Sequence, residues 1–82
     1  MNNPKTRIII IKTVHDTIEK LEDGWMLYES HTHPSVWLTK GKKTIGLYIE
    51  VFQELTRRHL IYSTGFKFPI EEYARDKIGG TK

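Results

Sequence analysis

Six basic side chains have the type and spacing to take a ligand. Lys40, Lys42 and Lys43 stand together in "KGKK", Arg57 and Arg58 form a pair before His59, and Lys67 follows in "GFKF". Such residues neutralise phosphate, and the affinity gained that way carries little base specificity. A second constellation lies in "ESHTHP", where Glu29, His31 and His33 alternate and an extended chain would aim all three to one side. A metal site needs three or four converging ligands. Loop histidines commonly serve without one, and the alternation is expected to break before Pro34, so no metal is expected. Catalytic patterns are missing: there is no nucleophile motif, no glycine-rich phosphate loop and no helical HExxH. Asp16, Glu19, Glu22 and Asp23 read as solubilising charge on or just after a helix. The expectation is a chain without cofactor that is not an enzyme.

The elements that position these residues belong to a short chain. Its 82 residues suit one domain, with 1–6 and 79–82 as loose ends. Such a domain buries only about 60–65% of its unfolded surface, and without cysteine nothing covalent staples it. The net charge of +3 is mildly basic, which falls short of a chain living on phosphate contacts. Apolar runs are too short to span a bilayer, and the polar opening does not resemble a signal peptide. A cytoplasmic protein with no membrane partner is the expectation.

Thr13 with Asp16 predicts a capped helix over 14–22, stopped by Gly24. Residues 7–12 fit a strand, through four consecutive isoleucines, or an extension of that helix through the 3-and-4 spacing of Ile10, Ile11, Val14, Ile18 and Leu21. Both readings stay open. "WMLYES" and "SVWLTK" read as a hairpin, with Trp25 and Leu27 on one face and Met26 and Tyr28 on the other. "KGKK" is a basic turn. Thr44 predicts the cap of a second helix over about 45–58, with Ile45, Tyr48, Ile49, Phe52 and Leu55 as its apolar stripe. Two short extended runs, 60–62 and 66–68, follow around a Ser63-Thr64-Gly65 turn. In the tail, Pro69, the acidic pair Glu71 and Glu72, and the later Arg75 and Lys77 favour a short helix over 70–78, with a strand as the alternative.

The sum is an α+β fold, a small antiparallel sheet packed against two or three helices. "ELTRRHLIYSTGFKF", with the helix before it, resembles the recognition helix and first wing strand of winged-helix domains over residues 44–68. That resemblance implies a winged-helix-like domain that binds DNA. If residues 8–11 form a strand, the order βαββαβ suggests a ferredoxin-like sandwich instead.

On the predicted helix 45–58 the solvent face carries Glu50 and Glu54, which would meet phosphates of like sign. The helix ends suit anions better. The three lysines precede a first turn whose free N–H groups attract negative charge, and the arginines close the last turn. The leading expectation is therefore a non-enzymatic module contacting the nucleic-acid backbone through Lys40, Lys42, Lys43, Arg57, Arg58 and Lys67. The alternative rests on nine aromatic residues, all after position 24. A hairpin with two apolar faces has one to spare, so Trp25, Tyr28 and Trp37 could dock a protein partner or a second copy.

Overall fold

The structure, a computed structural model, describes residues 10–77. The expected loose ends and the first half of the isoleucine run lie outside the described residues. Eight elements follow one another: β1 (Ile10–Ile11), α1 (Val14–Glu22), β2 (Met26–Ser30), β3 (Ser35–Lys40), β4 (Lys43–Leu47), α2 (Ile49–Arg57), β5 (Ile61–Lys67) and β6 (Ile70–Arg75).

The first helix forms for the reason its sequence suggests. The Thr13 hydroxyl accepts from the Asp16 N–H at 3.0 Å, satisfying a donor that the first turn leaves free. At the other end Gly24 adopts φ +95°, and the Trp25 N–H reaches back to the Lys20 carbonyl at 3.0 Å. This is a left-handed terminus of the Schellman type. Helix α2 ends the same way, with Leu60 N–H on the Leu55 carbonyl at 2.9 Å, but there His59 takes the left-handed position at φ +58°.

Residues 10 and 11 resolve the open reading in favour of a strand. They pair parallel to β4, with Ile11 opposite Leu47. The hairpin over 26–40 forms as expected, Leu27 opposite Leu38 and Tyr28 opposite Trp37.

The expected helix over 45–58 needs correction. Residues 43–47 are a strand, and α2 begins only after Tyr48. Two forces override the helical stripe there. "KGKK" closes a two-residue hairpin between Lys40 and Lys43, with Gly41 at φ +63° supplying the twist such a turn needs. Ile45 and Leu47 then alternate inward, both buried, between β3 and β1. The tail is corrected too. Residues 70–75 form β6, held between β2 and β5, rather than a helix. The two runs around Ser63-Thr64-Gly65 are one strand, β5, and the supposed turn is a register shift between Ser63 and Gly65.

The sheet therefore has six strands in the order β1-β4-β3-β2-β6-β5, antiparallel except for the first pair. It is mixed and larger than the small antiparallel sheet expected, and its element order βαβββαββ departs from βαββαβ. Both helices lie against one face. There Leu27, Leu38, Ile45 and Leu47 join Val51, Phe52 and Leu55 of α2 in the core, with Val14, Ile18 and Leu21 of α1 packed beside them. Thr17 is the one buried polar residue of the described chain, and its hydroxyl donates to the Thr13 carbonyl at 2.9 Å. No helix among the described residues is long and apolar enough to cross a membrane.

Candidate functional site

The register decides where each candidate side chain goes, because alternate residues of a strand face opposite sides. Leu27, Leu38 and Ile45 are cross-strand neighbours on the helix side. Tyr28, Trp37 and Gly46 are neighbours one residue on, and so face away from the helices. On that open face the Tyr28 and Trp37 rings stack, 6.1 Å between centroids at 25°. Met26, Ile10 and Tyr62 extend the apolar ground, with Ile10 and Tyr62 43% and 51% exposed. Charge is sparse: among the described residues Glu72 and Lys67 are the ionic side chains at the strand positions of this face, and Asp76 and Lys77 adjoin Tyr62 just past β6.

Trp25, grouped with Tyr28 and Trp37 by sequence, does not belong there. It is 7% exposed and part of the core, with the Lys20 ammonium 5.3 Å from its ring. The residue follows Gly24 at the left-handed turn, which swings it toward the helices.

The basic residues are dispersed. Lys40 and Lys43 sit directly opposite each other at the tip of the β3–β4 hairpin. They do not precede a helix: α2 begins at the far end of β4, so no helix N-terminus assists them. Lys40 is engaged with Asp23, its Nζ 2.7 Å from the carbonyl and 3.1 Å from Oδ2. Arg57 and Arg58 both clamp Glu54, Arg58 Nε at 2.6 Å from Oε2 and Arg57 through both Nε and its terminal nitrogen. These two guanidiniums hold the Glu54 carboxyl below the usual carboxylate range. Lys67 lies level with Ser30 and Ser35, five residues of β3 away from Lys40. That is about 17 Å along the sheet. Lys42, Lys43 and Lys67 have no ion pair among the described residues, but they lie at two ends of the molecule.

A third group forms at the end of the sheet where the turns 31–34 and 68–69 meet. The His31 N–H donates to the Pro69 carbonyl at 2.7 Å, joining the two turns. Glu29 and Glu71 are directly opposite each other on β2 and β6, facing the helix side beyond the end of the core. His31 Nε2 lies 2.9 Å from Glu71 Oε1 and 3.6 Å from Glu29 Oε1. The Tyr73 hydroxyl donates to Glu29 at 2.8 Å. Burial and then that bond raise the Tyr73 phenol well above its ordinary value. The Glu71 carboxyl is held low, chiefly by the Ser63 hydroxyl and further by His31, against the opposing effect of burial. Phe66 packs edge-on to the imidazole at 5.0 Å, and Phe68 against Phe66 at 6.3 Å. His33 stays out, its backbone N–H bonded to Ser30 at the turn.

Sequence reading reached Glu29 and His31 but not Glu71 or Tyr73. Those arrive from 40 and 44 residues away through the β2–β6 pairing. The signal was the alternation of Glu71 and Tyr73, masked by the helix-like charge order of the tail. Comparison of the chain with known protein families, curated proteins and solved structures gave no match.

Proposed function

We propose that the chain is a non-enzymatic interaction module that self-associates through the helix-free face of its sheet. The observation that carries this reading is the Tyr28–Trp37 stack on an open face where charge is sparse, in a sequence 28% charged overall. An apolar sheet face is usually covered, by helices or by a second sheet. A second copy suits this face because the two ionic residues at its strand positions have opposite sign. In an isologous pair each residue meets its opposite number in both directions, so Lys67 of one copy can stand against Glu72 of the other. Six strands about 4.8 Å apart, each some five residues long, give a projected area of about 450 Å² per copy. Two such faces approach the lower limit of stable interfaces, about 1,200 Å² in total. A weak, concentration-dependent dimer is the form this reading takes.

Phosphate contact, the reading the sequence favours, has less support from the geometry. Three of its six residues are occupied by acids of the same chain, and the rest do not share a surface.

Sedimentation of the full chain over a range of concentrations tests the proposal. The wild type should shift from monomer to dimer. Trp37→Glu and Tyr28→Glu should remain monomeric with unchanged circular dichroism. A wild type that is monomeric throughout sinks the proposal. Salt-sensitive amide shifts at Lys42 and Lys43 on adding a single-stranded oligonucleotide would then restore the backbone-contact reading.

A further inference from the structure

The group at the meeting of the two turns contains an electrostatic problem. Glu29 and Glu71 are cross-strand partners, and like charges directly opposite on adjacent strands repel. Their side chains are only 25% and 20% exposed, so water screens them incompletely. The Tyr73 and Ser63 hydroxyls offset part of that repulsion by donating to Glu29 and Glu71. A metal ion between the carboxylates would offset the rest, and the spacing of the donors suits it.

We propose that Glu29, His31 and Glu71 form a binding site for a divalent transition metal of the zinc class. One donor atom from each residue lies within 4.8 Å of the other two. A tetrahedral zinc with bonds of about 2.0–2.1 Å keeps its ligand atoms about 3.4 Å apart. The imidazole nitrogen lies 2.9 and 3.6 Å from the two carboxylate oxygens, on either side of that separation. The imidazole nitrogen needs shifts of only a few tenths of an ångström to meet each oxygen's separation, and the two oxygens, within 4.8 Å of each other, close on the ion by side-chain rotation; Nε2 must be the unprotonated ring nitrogen.

The surroundings are those of a metal site as well. The Tyr73 hydroxyl donates to Glu29 Oε1, the oxygen that faces His31, and so fixes its position as outer hydrogen bonds fix metal-ligating carboxylates. Phe66 holds the imidazole plane from the side. His31 is 36% exposed, which leaves a fourth position open to water. The site clips the β2–β3 turn to the β5–β6 hairpin, a cross-link that a chain without cysteine cannot make covalently. This inference is independent of self-association, because the metal group and the Tyr28–Trp37 stack lie on opposite faces.

A second cluster, His15, Asp16 and Glu19 on α1, supplies the comparison. Its three residues are exposed on one helix, and the His15–Glu19 contact at 3.3 Å is an ordinary pair one turn apart.

Calorimetric titration of the full, metal-free chain with zinc at neutral pH decides the matter. One zinc per chain is expected, with micromolar or tighter affinity and a rise in thermal midpoint that follows mass action. His31→Gln and Glu71→Gln should each weaken binding by about tenfold or more. His15→Gln should leave it unchanged. Circular dichroism of each variant separates loss of a ligand from loss of the fold. Affinity unchanged in His31→Gln, affinity lost in His15→Gln, or no heat at zinc concentrations up to ~0.1 mM, about 5 kcal/mol of binding, would overturn the proposal.

Discussion

The two tryptophans show how far a single residue's role depends on its register. Trp25 lies in the core and Trp37 on the open face, yet both sit in similar aromatic runs. Removing Trp25 leaves a cavity in the core beside Lys20 of α1. Trp25→Ala should therefore cost about 3–5 kcal/mol, a large part of a small domain's stability. The urea midpoint should fall steeply. Trp37→Ala should move it less, since that ring is half-buried against Tyr28 on the open face rather than enclosed in the core. Similar losses in the two variants would contradict the assignment of faces. Glu54 gives a residue-scale prediction in pH. Arg57 and Arg58 depress its pKa in the folded chain, so the folded state holds its charge to lower pH than the unfolded one. The sign follows: this contribution is present above the unfolded carboxylate value and is lost as pH falls through the folded one. Side-chain carbon NMR should place the Glu54 midpoint below the ordinary glutamate value. Joint replacement of both arginines by Ala should return it. The group is exposed, so added salt should narrow the difference.

Among the elements, the two helix ends form a matched pair of experiments. Both close with the same backbone bonds, but Gly24 fills the left-handed position in one and His59 in the other. A side chain in that region is strained by about 1–2 kcal/mol, less for a polar residue. His59→Gly should therefore stabilise the fold by about 0.5–1 kcal/mol, and Gly24→Ala should destabilise it by at least as much. Chemical denaturation of the two variants checks both signs together. Short-range chemistry of this sort was legible in the sequence: the Thr13 cap, the Gly24 stop and the hairpin over 26–40 each depend on neighbours within a few residues. Residues 43–47 and 70–75 were not. Their local pattern fits a helix, and they become strands because β3, β1, β2 and β5 offer pairing from elsewhere in the chain. The same cause hid one of the three residues of the proposed metal site. Glu29 and His31 lie two residues apart, whereas Glu71 joins them only once β6 is known to be a strand beside β2. The lysine cluster was legible as charge, but its setting changed when the helix start moved from Thr44 to Tyr48.

For the whole molecule the governing fact is a sheet with helices on one side only. The described chain places its core between α1, α2 and one face, and leaves stacked aromatic rings on the other. A domain of this size has little stability to spare, so covering the second face should stabilise folding as well as assembly. If the covering is a second copy, unfolding and dissociation are linked, and the thermal midpoint must rise with protein concentration. Trp37→Glu should abolish that rise, since a buried unpaired carboxylate in each copy opposes pairing. It should leave the dilute-solution midpoint near the wild-type value. Salt separates this from phosphate binding. An interface with one Lys67–Glu72 contact in each direction should respond weakly to ionic strength. Contacts to a nucleic-acid backbone would weaken with a slope of about 0.7–0.9 per phosphate neutralised. Scanning calorimetry at several concentrations, repeated at low and high salt, reads both quantities. A midpoint independent of concentration would leave the aromatic face uncovered in solution, and self-association would then be ruled out as its purpose.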